Sequence, residues 1–236
     1  MNSVFVICEI DDAKIADVSL ELLTKGRSLA NRLKCKLEAI VLGSELDGIE
    51  KELFPYGADV IHIGDDPRLK PYTTLPHAAV INGLFREEKP QIGLLGATTM
   101  GRDLGPRVSS ALGSGLTADC TALEIGDHEE KKANMVYKDL LYQIRPAFGG
   151  NIVATIINPD HRPQMATVRE GVMKKEIYSA SHKGVVKKID VSKYLKPEDL
   201  VVKVLERHME KSRVNIKNSS IIVAGGYGMG SKENFN

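Results

Sequence analysis

The sequence has no tryptophan, and only five phenylalanines and seven tyrosines in 236 residues. Its core must therefore be built mainly from aliphatic side chains, and a hydrophobic fraction of 42% supplies them. Cysteine is scarce as well. Cys8, Cys35 and Cys120 lie far apart, with no CxxC among them. That argues against a disulfide scaffold or a thiolate zinc site and fits a reduced, cytoplasmic protein. Neither sign of charge prevails: 32 Lys and Arg face 31 Asp and Glu, mixed along the chain. No nucleic acid or anionic membrane is expected as the main partner. Long apolar runs are missing too. Ile152–Ile157 and Ile221–Ala224 fall far short of the ~20 residues a membrane helix needs, so no membrane insertion is expected. The opening MNSVFVICEIDD shows no basic, apolar or Arg-rich leader. No HExxH, GxSxG, phosphate-loop Lys-Ser/Thr pattern or zinc-ligand spacing occurs. The six histidines (62, 77, 128, 161, 182 and 208) are scattered and read as surface or core residues.

What is present is an alternation of two periods. Val4–Cys8, Leu37–Leu42, Val60–Ile63 and Gln91–Leu95 are short apolar runs, three of them followed closely by glycine. Between and after them lie helical spacings over Asp17–Leu33, Leu46–Phe54, Leu75–Arg86 and Leu104–Leu112, the second ended by Pro55. Strand and helix repeated four times predict an α/β fold with a Rossmann-like parallel sheet, the first strand central. The strands are apolar throughout, as helices on both faces require. After residue 120 the helices stop. Thr121–Ile125, Met135–Gln143 and Ile152–Ile157 read as strands, the last two joined through Pro146 and Gly149–Gly150. They predict an antiparallel hairpin on the sheet edge. Val185–Asp190 and Leu200–Glu206 read as extended pieces.

Two segments carry candidate chemistry. Residues 96–107, GATTMGRDLGPR, follow the fourth strand and open a helix, where ligands bind in open α/β sheets. Thr98 and Thr99 can cap that helix or contact an anion, and Arg102 can balance one. The alternative is structural, with Arg102 and Asp103 locking the loop together. The second segment is Gly225-Gly226-Tyr227-Gly228-Met229-Gly230, after a predicted strand at Ser220–Ala224. It spells GxGxG and not GxGxxG, and is either a ligand-approaching loop or a plain tight turn. A strand and glycine loop normally feed a crossover helix and a further strand, and none arrives before Asn236. The expectation is a chain that continues.

Four stretches carry a resemblance: GATTMGRDLGPRVSSALGSGLTADCTAL at 96–123, RPAFGGNIVATI at 145–156, RPQMATVREGVM at 162–173 and IIVAGGYGMGSKENF at 221–235. In this order they resemble the electron transfer flavoprotein α subunit. The resemblance covers essentially the whole chain. It implies an amino-terminal α/β domain over residues 1–190, a connector over 191–219, and the first strand and glycine loop of an FAD domain over 220–236. It implies a heterodimer with a β subunit, whose FAD takes electrons from acyl-CoA or other dehydrogenases, fatty-acid β-oxidation being one setting. Of the FAD-contacting positions only Gly225, Gly226 and Gly228 carry over. Where the family usually has arginine, this chain has Tyr227. No catalytic residue, metal or cofactor is expected in residues 1–236 by themselves. Apolar surface meant for the β subunit predicts that the isolated chain self-associates. The resemblance also favours the structural reading of 96–107, since the family's α-subunit first domain does not typically bind nucleotide.

The rival reading is a stand-alone adenine-nucleotide-binding α/β protein with 96–107 as its phosphate site. An ATP-using ligase or hydrolase is a weaker rival. It wants a serine- and glycine-rich loop after the first strand, and Glu9-Ile10-Asp11-Asp12 there would repel phosphate.

Overall fold

Ser3–Cys8 (β1), SVFVIC, is buried along its whole length, as a strand covered on both faces must be. Its side chains alternate. Val4, Val6 and Cys8 join one apolar cluster, and Phe5 and Ile7 join another. The computed structural model describes residues 3–11, 14–130, 134–206, 219 and 221–235. After β1 come a two-residue antiparallel pair, Ile10–Asp11 (β2) and Lys14–Ile15 (β3), and then helix Asp17–Leu33 (α1). Strand Lys36–Gly43 (β4), short helix Glu50–Leu53 (α2), strand Val60–Asp65 (β5), helix Thr74–Glu88 (α3), strand Ile92–Gly96 (β6) and helix Thr99–Leu112 (α4) follow. The four expected strands are present, parallel and adjacent in the order β5-β4-β1-β6, with β1 fourth of seven in the sheet. One cluster packs beneath α1 through Leu22, Leu23 and Leu29. The other packs beneath α3 and α4 through Leu84, Phe85, Leu104 and Val108.

Three further strands complete the parallel sheet. Leu116–Cys120 (β7) forms one edge, Gln164–Val168 (β11) inserts between β6 and β7, and Val185–Lys188 (β12) forms the other edge beside β5. The first two were not expected from the sequence. Ala122–Glu130 (β8), Met135–Ala147 (β9) and Ile152–Ile156 (β10) make a separate antiparallel sheet of order β10-β9-β8. So the expected edge hairpin is two strands of a separate three-stranded sheet. It joins the parallel sheet across Thr121, through Leu123 and Leu141 in the α1-side core, and by a bond from Leu141 N–H to Gln164 Oε1 at 2.9 Å.

Three smaller expectations are corrected. Pro55 does not end a helix but sits inside a 3-10 turn, Phe54–Tyr56, that prolongs α2. Helix α4 begins five residues earlier than Leu104, because Thr98 caps it, and it tolerates Pro106 in its interior. Residues 201–206 are neither helix nor strand.

The chain divides into two compact units, Met1–Lys203 and Val204–Asn236. The first therefore runs past 190. Val191 is buried, and the Tyr194 ring lies flush on α3, where a Cβ at Gly83 would stand 2.1 Å from it. In the second unit, Ile221–Ala224 has no strand assignment, since no ladder partner reaches it among the described residues. Tyr227–Met229 and Glu233–Phe235 are single 3-10 turns. Ser220 and most of the expected connector, 207–218, lie outside the described residues. Among the described residues no helix is long and apolar enough to cross a membrane.

Candidate functional site

The sheet order reverses beside β1. From β1 the chain builds β4 and β5 on one side, then returns to lay β6 on the other. The crevice beyond the carboxyl ends of β1 and β6 is the place where an open α/β sheet receives a ligand. Two pieces of sequence meet there, 89 residues apart: Glu9 at the end of β1 and Thr98 at the start of α4. Glu9 is only 8% exposed. Its N–H donates to Ser19 Oγ at 2.8 Å, and its carbonyl accepts from Ala16 N–H at 2.9 Å. Both backbone bonds fix where the side chain goes. The two carboxylate oxygens lie 2.8 and 2.7 Å from Thr98 Oγ1, which donates to them. Thr98 in turn is the N-cap of α4 and accepts from Gly101 N–H at 3.0 Å.

Glycine makes this approach possible. A Cβ at Gly101 would stand 1.9 Å from the Gly96 carbonyl oxygen, and one at Gly96 would stand 2.9 Å from Glu9 Oε1. A helix N-terminus carries roughly half a positive charge and unpaired N–H groups, which favour an anion. Here the Glu9 carboxylate lies beside that end, bonded to the hydroxyl of the capping Thr98. The same carboxylate opposes the entry of a phosphate.

The loop's other polar residues are used structurally, but not in the expected pairing. Arg102 and Asp103 do not bond each other, because neighbours on a helix point about 100° apart. Arg102 Nε donates to the Ala97 carbonyl at 2.7 Å, and its Nη2 lies 3.6 Å from Asp119. Asp103 accepts from Tyr72 Oη at 2.8 Å and from Thr74 Oγ1. Asp119 and Arg169 were missed in the sequence. Asp119 stands in left-handed backbone (φ 61) beside an irregularity in the β7–β11 ladder, and accepts two bonds from Arg169 at 3.2 and 2.7 Å. The Arg169 hydrogen bond holds the Asp119 carboxyl below the usual carboxylate range, with the charges of Arg169, Arg102 and Arg145 adding to it. Arg102, Arg145 and Arg169 belong to three of the four stretches quoted above.

Cys8 and Cys120 are core residues, and Cys35 is half-buried against the core. Burial pushes Cys8 and Cys35 up, and Cys120 up to about 11, so none is a ready nucleophile. His77 is buried, and its pKa is lowered to about 4 by desolvation, against a bond from Nδ1 to the Thr73 carbonyl. His62 Nε2 meets Glu38 Oε2 at 2.7 Å within the sheet. Among the described residues no group of His, Cys, Asp and Glu is placed to hold a metal ion.

The second unit holds the predicted glycines. Gly225 is packed: a Cβ there would lie 2.5 Å from the Phe235 ring and 3.1 Å from Met229 Cγ. Gly226 and Gly228 are open, with nothing within 4 Å of a Cβ among the described residues. Tyr227 is fully exposed, and Asn234 Nδ2 closes the loop on the Met229 carbonyl at 2.7 Å.

The comparisons with known proteins agree with one another. The electron transfer flavoprotein domain model matches residues 4–194. The chain is 41% identical over 236 residues to the electron transfer flavoprotein subunit alpha of Thermoanaerobacterium thermosaccharolyticum, covering 100% of this chain and 68% of that protein. It is 47% identical over 235 residues to the Protein FixB of Clostridium saccharobutylicum, covering 99% and 66%. It is 40% identical over 242 residues to the acryloyl-CoA reductase electron transfer subunit beta of Anaerotignum propionicum, covering 97% and 66%. The chain thus spans about two thirds of the length of these relatives. It belongs to the electron transfer flavoprotein family, in which it carries an α-type amino-terminal domain.

Proposed function

We propose that this chain is the amino-terminal part of an electron transfer flavoprotein α subunit. In this reading it pairs with a β subunit, and their FAD accepts electrons from dehydrogenases, acyl-CoA dehydrogenases among them, and passes them to a downstream acceptor. The observation that carries it is the match to α-type relatives along essentially the whole chain, glycine loop included. The setting is cytoplasmic, and fatty-acid β-oxidation is one process it would serve.

Residues 220–236 open the FAD-binding domain in this reading. The open backbone at Gly226 and Gly228 fits a bulky cofactor, since a side chain at neither position would meet protein. Tyr227 offers an exposed ring and hydroxyl where the family's arginine usually stands. FAD supplies the redox chemistry when bound, and the protein supplies position and electrostatics. The first unit acts as a scaffold and is not redox-competent alone.

The β subunit would cover apolar side chains of the antiparallel sheet. Met135, Val136, Ile152 and Val153, with Phe148 in the turn, are about half to four-fifths exposed, far more than a packed strand leaves. Without that subunit a second copy covers them, in a two-fold dimer burying over ~1,000 Å². The adenine-nucleotide alternative is disfavoured by Glu9, whose buried carboxylate lies beside the start of α4, bonded to the Thr98 hydroxyl.

The test is to express the gene's full reading frame with a β subunit and to measure the complex by light scattering and flavin absorbance. A heterodimer that loses FAD on Gly226→Val or Gly228→Val supports the reading. Two chains that do not associate, or flavin content unmoved by both substitutions, refute it.

A further inference from the structure

Two glutamines are buried where the antiparallel sheet meets the parallel one. Gln143 in β9 is 1% exposed, and Gln164 at the start of β11 is 0% exposed. Both side chains enter the α1-side core. Gln143 stands directly opposite Leu123 in the β8–β9 ladder, and residues so paired project to the same face of the sheet. Leu123 lies in that core, and so does Leu141, two residues before Gln143 on the same face of β9. Gln164 shares the face of Ala166 and Val168, which lie in the same core.

Of the four polar ends on these two amides, one is engaged. Gln164 Oε1 accepts from Leu141 N–H at 2.9 Å and so ties β11 to β9. The other three, Gln143 Oε1, Gln143 Nε2 and Gln164 Nε2, have no hydrogen-bond partner among the described residues. Turning either amide end for end does not repair this. Gln143 has neither end engaged, and a turned Gln164 would set its Nε2 against the Leu141 N–H, donor to donor. Each buried polar end without a partner destabilises the fold, and folded proteins meet such groups with a protein atom or with an ordered water.

We propose that Gln143 and Gln164 bind internal water at the joint between the two sheets. Water accepts from Nε2 groups and donates to Oε1, which is what the three ends require. Three polar contacts are also the usual number around a buried water. Bound there, it fastens β9 to β11 beside the Leu141–Gln164 bond. It also marks which face of β9 is buried, because a one-residue slip of that strand would carry Gln143 to the other face. The inference concerns the first unit alone and does not depend on the flavin reading.

The sign of one substitution tests it. Gln143→Leu keeps the size of the side chain and removes both of its polar ends. If water holds the amides, the variant breaks a satisfied network and leaves Gln164 Nε2 alone, and the melting temperature of the 236-residue chain should fall by about 3–8 °C. If Gln143 is unpartnered, leucine relieves two unpaired groups and adds apolar contact, and the melting temperature should hold or rise. A Q143L chain as stable as the wild type, or more stable, therefore overturns the proposal. A direct bond between the two amides would also make Q143L less stable, so a high-resolution crystal structure of the wild-type chain is the second readout. Ordered water within hydrogen-bond distance of both Gln143 and Gln164 Nε2 is the expected result, and it decides the matter if Q143L does not fold. Amides bonded to each other, or a joint without water, overturn the proposal.

Discussion

Two glycine-bearing loops follow apolar segments in this molecule, and they differ in what fills them. Around Gly96 and Gly101 the backbone is pressed against itself, and the space left over is taken by Glu9. Around Gly226 and Gly228, among the described residues and beyond the adjacent ones, no atom stands within 4 Å of where a side chain would begin. The same residue type serves close packing in one case and leaves access in the other. A glycine motif therefore says that something approaches the backbone closely, and only the surrounding residues say whether that something is protein or ligand. In the first unit it is protein.

The largest expected effect breaks this comparison most sharply. Gly101→Ala puts a Cβ 1.9 Å from the Gly96 oxygen, and backbone cannot yield as a side-chain tip does. We expect a loss on the order of 3–5 kcal/mol in denaturant unfolding, while Gly226→Ala stays within about 0.5 kcal/mol. Equal effects at the two positions would remove the distinction.

Next in size is a pH limb belonging to the first unit. His77 is buried, and its pKa is depressed from 6.5 to about 4, chiefly by desolvation. Between those values the unfolded chain binds a proton that the folded chain refuses. Stability is therefore full above about pH 6.5 and falls as the pH drops toward 4, by about 3 kcal/mol. Melts across that range should show the limb in the wild type and a flatter one in His77→Gln.

Thr98→Ala removes the cap of α4 and the donor to Glu9 together, and should cost about 1–2 kcal/mol. The smallest effect is at Asp119. Its carboxyl is depressed by Arg169, so its contribution is present above the ordinary aspartate range and is lost as the pH falls through the lowered value. Both partners reach solvent, so Asp119→Asn should cost under about 1 kcal/mol, visible as a shallower acid limb.

The half of the fold built from local pattern was legible in the sequence. β1, β4, β5 and β6 each sit in an apolar run, and the helices after β1, β5 and β6 keep their period, while the one after β4 shrinks to Glu50–Leu53; the strand order followed from short crossovers. Strand β11 was not legible. QMATV is five residues with no helix leading directly in, and its place between β6 and β7 is set by neighbours distant in sequence. Strand β7 was hidden by Thr117 and Asp119, polar residues that interrupt its apolar pattern. The site was half legible. Residues 96–107 and the acidic run after β1 each stand out in the sequence, but their meeting spans 89 residues and is a fact of tertiary structure. The Arg102–Asp103 pairing failed for a local reason, helix geometry, and the partners that replaced it come from β7 and from the segment leading into α3.

Calorimetric titration of the 236-residue chain with AMP, ATP and FAD tests the central claim most directly, because a switch point filled by the chain's own carboxylate has no vacancy for a phosphate. The account predicts flat traces for all three through the micromolar range. A clear one-to-one isotherm for any of them, lost on Arg102→Ala or Thr98→Val, would contradict it and make the first unit a nucleotide-binding domain.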